Sequence, residues 1–508
     1  MSRIRIVKGT ITKTTGGDHN IFSNGNIVTT SSKRISEEGL QGISYGDPLP
    51  IPENPITKDN FDITFELDKD TQTVVPFGIL DFKNNIENPF FSFKYILSKA
   101  PIDSLDFQIL NQNDEVLYSM TSLKTVILKA SKKIEIVSKA ENPIEESLQT
   151  KTWDYNKIYN QYNLTEPDYT QIGEYIIHWD GFDSNEIYDS TVFNGKNLRA
   201  KITAVKGSKQ KSITVDFSTQ YSEVKWTDVK IDRKTKRIDV TLRVNLTDGG
   251  AKGLDCQTIN ANMYGTPARP FCDWDRIPAS SISPSRPVIK TRTKSFQDLE
   301  KLAIEGLNYH WGRNSNHLEG KNVNINGDIF EIFINTLNTN ISTMVTIDLI
   351  YNTNNDWGRS GNPGVLGRIY YNEGYLKYSN GWGFKNALNA ELEYKHTSGH
   401  EIGHSILKAY GGIIYSWQHK GSSYLLPQDE KPVKGNETVR DFFKKDNMPD
   451  ITGEYYPQKG EIDLMKYYNY ELDKISGKII PVSKIEERSI VTEKDILLLL
   501  WLTKLKLL

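Results

Sequence analysis

Cysteine is almost absent: Cys256 and Cys272 are the only two in 508 residues. So low a count excludes a disulfide scaffold and points to synthesis in a reducing compartment. Two free thiols is the simpler expectation, with pairing open if the chain later meets an oxidising compartment. A surplus of either charge is also missing, since Lys+Arg number 62 and Asp+Glu 64. That balance removes the electrostatic footprint of a nucleic-acid or anionic-membrane binder. No long hydrophobic run exists. The longest, Ile496 to Leu502, falls far short of the ~20 residues a spanning helix needs; with its flanks, "TEKDILLLLWLTKLKLL", it reads as a buried helix opened by Thr492 and Asp495, with Lys504 and Lys506 at its carboxyl end. The opening "MSRIRIVKGTITK" lacks an apolar core and a small-residue cleavage site, so it does not read as a secretory signal peptide. Histidine is scarce as well, at eight.

What is present is enough apolar material for real cores, 37% hydrophobic and 11% aromatic, in a chain long enough for several domains. Residues 1–47 alternate short apolar–polar pieces with Gly-Gly and Asn-Gly turn signals and read as a small β module. The four prolines of "GDPLPIPENP" make 48–58 an extended linker. Residues 59–145 carry further strands. In 165–252, "LRAKITA" and "RIDVTLRVNL" alternate with period two, the mark of half-buried strands, and predict a second β-sandwich-like module. Residues 253–292 read as an irregular connection. From 293 to 508 the pattern becomes α+β. Ser295 and Asp298 open a helix bearing Phe296, Leu299, Ala303 and Leu307 on one face. Strands "DIFEIFIN", "MVTIDLIY" and "RIYYN" follow, and then a second helix.

That second helix contains three of the eight histidines, in "KHTSGHEIGHSILKAYGG", Lys395 to Gly412. His400 and His404 are four apart and therefore share a helical face. Two imidazoles so placed can each give a nitrogen to one zinc ion. Glu401, rotated by ~100°, can miss the metal yet reach a water beside it. There it can take the proton of a water acidified by zinc as that water attacks a carbonyl. Gly403 in mid-helix costs about 1 kcal/mol against alanine, which predicts close packing at that point. Gly411-Gly412 predicts the helix end.

"GHEIGH" resembles the HExxH helix of the zincin superfamily of zinc metallopeptidases, and the preceding helix and strands are similar to a zincin amino-terminal subdomain. The resemblance covers roughly the last 215 residues. It implies one catalytic Zn2+, His400 and His404 as ligands and Glu401 as base. The third ligand stays open. The metzincin continuation is absent, since Leu407 and Tyr410 stand where its glycine and histidine would be. The thermolysin-like glutamate would fall in a Pro-broken stretch where Glu430 is nearest. His419, fifteen residues past His404 and beyond a Gly-Gly turn, is the preferred third ligand. The alternative is a carboxylate of "GEIDLMKYYN", Glu461 or Asp463. In that same segment Met465 matches the methionine that zincins often place under the metal, and Tyr467 or Tyr468 could hydrogen-bond a developing oxyanion. An equally good reading makes these aromatics core residues. His396 is expected to line the cleft or to orient a ligand.

A second resemblance concerns residues 1–47, including His19. They are similar to PAAR-like modules that cap the spike of contractile, type VI-like bacterial injection machines. Together the two resemblances imply an effector toxin, made in the bacterial cytoplasm and exported without a signal peptide. Its partners would be a spike-tip protein, a protein or peptide substrate and a cognate immunity protein, with no nucleic acid and no membrane span. The expected fold is multidomain: mostly β modules followed by an α+β zincin-like metallopeptidase domain. The competing readings are a non-catalytic spike component with a relic HExxH domain and a housekeeping intracellular metallopeptidase.

Overall fold

The computed structural model describes residues 61–68, 72–120, 126–128, 170–260, 267–358, 360–361, 367–378, 381–417, 455–468 and 470–508. The module expected over 1–47, the linker over 48–58, His19, His419 and Glu430 lie outside the described residues.

The described chain is mostly β, in line with the multidomain, strand-rich expectation. Its first ten strands are β1 (Asp62–Leu67), β2 (Thr73–Val74), β3 (Phe91–Ser98), β4 (Ser104–Leu110), β5 (Val116–Met120), β6 (Val126–Leu128), β7 (Gly173–Trp179), β8 (Ile187–Asp189), β9 (Asn197–Lys206) and β10 (Lys209–Tyr221). All but β8 build two antiparallel sheets. One runs β1-β3-β7-β6; the other joins β2, β10, β9, β4 and β5. Period-two alternation puts Leu198, Ala200, Ile202 and Ala204 of β9 inward. The facing sheets meet through aromatic rings, with Phe93 5.3 Å from Phe107 and 5.5 Å from Phe217. The two β modules expected over 59–145 and 165–252 are thus one sandwich: β9 pairs with β4 on one side and β10 on the other.

Apart from short helical turns, the remaining elements are β11 (Thr227–Asp232), β12 (Arg237–Lys252), β13 (Cys256–Ile259), β14 (Arg269–Cys272), α1 (Phe296–His310), β15 (Val323–Ile325), β16 (Asp328–Asn338), β17 (Thr346–Thr353), β18 (Arg368–Tyr378), β19 (Gly381–Lys385), α2 (Ala387–Trp417), β20 (Ile462–Asp463), β21 (Ser489–Ile490), α3 (Glu493–Trp501) and β22 (Leu505–Leu507). A mixed sheet runs β15-β16-β12-β17-β18-β19, with β11 and β8 attached along β12. β12 is parallel to β16 and β17, β17 is parallel to β18, and β19 closes the edge antiparallel.

This moves the border expected at 252/293. The alternating residues Ile238, Val240, Leu242, Val244 and Leu246 are buried as the pattern requires, but in the centre of the second sheet. With 16 residues, β12 is long enough to meet β11 along its first half and β17 along its second. One continuous hydrophobic core runs from Phe61 to Leu505 through both halves.

Two further expectations are corrected. Residues 253–292 are not wholly irregular: β13 and β14 form a hairpin in which Cys256 and Cys272 lie opposite each other and are joined by a disulfide. The carboxyl-terminal helix opens as expected, with Thr492 accepting from the Asp495 N–H, but it ends at Trp501. The chain then extends as β22 between β2 and β10 of the sandwich. Lys504 therefore does not sit at a helix end. Its ammonium bridges Glu87 and Glu223 at 3.5 and 2.9 Å.

α1 is capped by Ser295, whose hydroxyl accepts from the Asp298 N–H while the Asp298 carboxylate accepts from the Ser295 N–H. Such a reciprocal cap is worth about 1 kcal/mol. Leu299, Ala303 and Leu307 are fully buried. α1 packs on β16 and along α2, and α2 on β18. This layering holds the histidine-bearing turns of α2 against the end of α1.

Candidate functional site

His400, Glu401 and His404 are all buried on α2. The two imidazole centroids are 4.9 Å apart with ring planes at 90°. His400 Nδ1 lies 2.7 Å from the Leu464 carbonyl oxygen. His404 Nδ1 lies 3.1 Å from both the carbonyl and the hydroxyl oxygen of Ser416, and that hydroxyl donates to the His404 carbonyl at 2.8 Å. A carbonyl can only accept, so Nδ1 carries a proton in both rings, and Nε2 is the nitrogen that can carry a lone pair when the ring is neutral. Burial keeps His400 below its ordinary pKa, opposed by the Leu464 carbonyl, so the ring is neutral at neutral pH. Two imidazoles, each with its far nitrogen bound to main-chain oxygen, form the donor type a zinc ion takes.

Gly412 makes the Ser416 contact possible. At φ 87 and ψ 178 it occupies a region open essentially to glycine alone, and it breaks α2 so that the last turn folds back onto His404. The predicted helix end at Gly411-Gly412 is thus a sharp bend within a longer helical stretch.

Beneath the metal-ligand candidates, the packing foreseen at Gly403 is present. A Cβ there would lie 2.7 Å from Met465 Sδ and 3.0 Å from the Trp311 ring. Met465 is fully buried, directly under the turn that carries His404. Trp311 also donates from Nε1 to the Gly399 carbonyl at 3.0 Å. The turn holding Met465 is closed by Asp463, which accepts from the Met465 N–H at 2.9 Å and the Lys466 N–H at 3.2 Å.

The remaining candidates separate. The Tyr467 ring is 5.5 Å from the His400 ring. Tyr468 instead stacks on Tyr456 at 5.1 Å and accepts from the Asp463 N–H. Glu461, an alternative third ligand, turns both carboxylate oxygens to Arg313 at 2.7 and 2.9 Å. Asp463, the other, serves its own turn. His396 packs edge-on against His310 at 5.4 Å, and burial, then the neighbouring rings of His310 and His400, hold its pKa well down. Among the described residues no group of three or more His, Cys, Asp or Glu is placed to hold a metal ion. A cavity of about 220 Å³, lined in part by Trp226, Met344 and Lys408, opens beside His404.

Leu464, Ser416, Trp311 and Arg313 were not foreseen. The first acts through its backbone, and nothing in "YSW" or "HWGRN" distinguishes the others from ordinary core or surface residues. No protein-family model matches the chain, and no curated protein or solved structure matches it at a significant level.

Proposed function

We propose that the chain is a zinc-dependent endopeptidase whose site lies on α2. The observation that carries this reading is the pair of main-chain anchors on His400 and His404, which fix one tautomer in each ring. Ordinary buried histidines need one such bond; two on successive turns, supplied by two separate chain segments, orient a pair of lone pairs. A zinc ion held by His400 and His404 would supply Lewis acidity and lower the pKa of a water toward ~7. Glu401 would take that water's proton and pass it to the leaving amine. Tyr467, whose ring lies 5.5 Å from that of His400, would be preferred over Tyr468 as the hydrogen-bond donor to a developing oxyanion. The mixed sheet with α1 and α2 on it supports the zincin-like reading of this half. His419 remains the proposed third ligand.

The wider reading is a bacterial effector toxin carried by an injection machine, and it rests on the likeness of residues 1–47. The Cys256–Cys272 disulfide adds support, since such bonds persist where a protein ends in an oxidising compartment.

The test is metal analysis and peptide-bond cleavage by the wild type and Glu401→Gln. The wild type should carry one zinc and cleave. The variant should keep the metal and lose ~10²–10⁴ in rate. A metal-free, inactive wild type would favour a non-catalytic spike component.

A further inference from the structure

We infer that Arg313 is a positioning residue for the metal-ligand pair, setting the orientation of His400 through Glu461 and the Asp463–Lys466 turn. The inference rests on the proposed metal site.

Arg313 is 2% exposed, unusual for a residue that is normally found at the surface. Its own backbone is bolted to the mixed sheet, donating to and accepting from Ile332 at 2.9 and 2.7 Å. Its guanidinium then joins three other segments. Nε donates to the Asn322 carbonyl at 2.8 Å. Nη1 donates to the Val491 carbonyl at 2.7 Å and to Glu461 at 2.9 Å, and Nη2 to Glu461 at 2.7 Å. The fork is therefore bidentate on Glu461, the geometry that fixes direction as well as distance.

Glu461 is the residue before β20, and Val491 the residue after β21. These two short strands pair in parallel, Ile462 with Ser489 and Asp463 with Ile490. The Leu464 N–H continues the ladder to the Ile490 carbonyl at 3.0 Å. One side chain thus holds both strands of the ribbon whose end presents the Leu464 carbonyl to His400. A second bolt, the His310 ring on the Ser489 carbonyl at 2.6 Å, ties β21 to the end of α1. The path from the rigid sheet to the imidazole is Ile332, Arg313, Glu461, Leu464, His400.

Lysine at 313 keeps the charge but cannot grip two carboxylate oxygens and two carbonyls at once. The ribbon loses its fixed direction, the Leu464 carbonyl no longer selects the Nδ1–H tautomer, and the lone pair is shared between the two ring nitrogens. Outer-shell changes of this kind cost 10–100-fold in metal affinity.

The experiment compares wild type, Arg313→Lys and Ile202→Val. The last trims the sandwich core far from the site and serves as a control for lost stability alone. Zn2+ affinity is measured by chelator competition well below each melting temperature. In the metal-free proteins, the imidazole N–H resonance and tautomer of His400 are read by NMR. Arg313→Lys should bind Zn2+ 10–100-fold more weakly and lose the hydrogen-bonded Nδ1–H signal, with Ile202→Val matching wild type in both. A wild-type tautomer and affinity in Arg313→Lys would overturn the inference. If the wild type itself binds no Zn2+, the metal-site reading fails, and the NMR comparison alone decides whether Arg313 orients His400.

Discussion

The Nδ1 of His400 lies 2.7 Å from the carbonyl oxygen of Leu464, a residue 64 positions along the chain. A short carboxyl-terminal turn thus decides which nitrogen of a helical histidine holds a proton. The contact makes the site a composite of α2 and of a ribbon held at the end of α1, and mutations in either should be felt at the proposed metal site.

His419→Ala should cut zinc occupancy, measured by metal analysis on the purified full chain, if His419 is the third ligand. Asp463→Ala and Glu461→Ala are the comparisons. Glu461→Ala should chiefly lower stability, because it removes the bidentate carboxylate from the buried Arg313 guanidinium and leaves, among the described residues, only Glu493 at 3.7 Å. Retained metal in His419→Ala together with loss in Asp463→Ala would transfer the role to the carboxylate.

Gly403→Ala should destabilise the fold despite favouring helix by about 1 kcal/mol. The added methyl collides with Met465 Sδ and the Trp311 ring, and overpacking of this kind costs about 1–3 kcal/mol. Thermal unfolding with and without Met465→Ala checks the cause. The penalty should shrink once the sulfur is gone; an unchanged penalty would lay the strain on Trp311.

The sandwich should weaken in acid. His178 is buried, hydrogen-bonded to Ser92 at 2.9 Å, and pushed by burial from 6.5 down to about 4. The unfolded chain therefore binds a proton more readily than the folded one between those values. The stabilisation is whole above pH 6.5 and drains away as pH falls toward 4, by up to about 3 kcal/mol. Urea unfolding of wild type and His178→Asn at pH 7.5 and 4.5 would show a smaller acid loss in the variant. Equal losses would place the sensitivity in other groups.

Deleting Lys504–Leu508 should make the chain aggregation-prone. Leu505 is fully buried, and removing β22 bares the facing edges of β2 and β10, which then invite pairing between molecules. Light scattering on the truncated chain gives the answer; a monomeric, normally melting product would contradict it.

The features legible in the sequence were local ones. The Ser295 and Thr492 caps, the alternation in β9 and β12, the HExxH spacing and the tight fit at Gly403 all depend on residues a few positions apart. Their partners were not legible. Alternation in "RIDVTLRVNL" says that a face is buried, not which sheet buries it, so the pattern alone groups β12 with the sandwich although it lies between β16 and β17 in the mixed sheet. Leu464 acts through a carbonyl that every residue possesses. Arg313 looks like any surface arginine until its burial is seen. Cys256 and Cys272, 16 residues apart, pair because a hairpin sets them opposite each other, a matter of register that composition cannot express.

The placement of β22 bears on how the protein could be processed. Thr73 and Val74 pair with Lys506 and Leu505, and Tyr221 pairs with Leu505 from the other side. The chain is thereby stitched to itself across its whole described length. A protease that nicks the backbone between 253 and 292 would generate two fragments that remain entwined through size exclusion, since β12 lies in one and β16 and β22 in the other. Limited proteolysis would not release the half bearing α1 and α2 from the sandwich half. Wherever the sandwich goes, the helix bearing His400 and His404 goes with it as one folded unit.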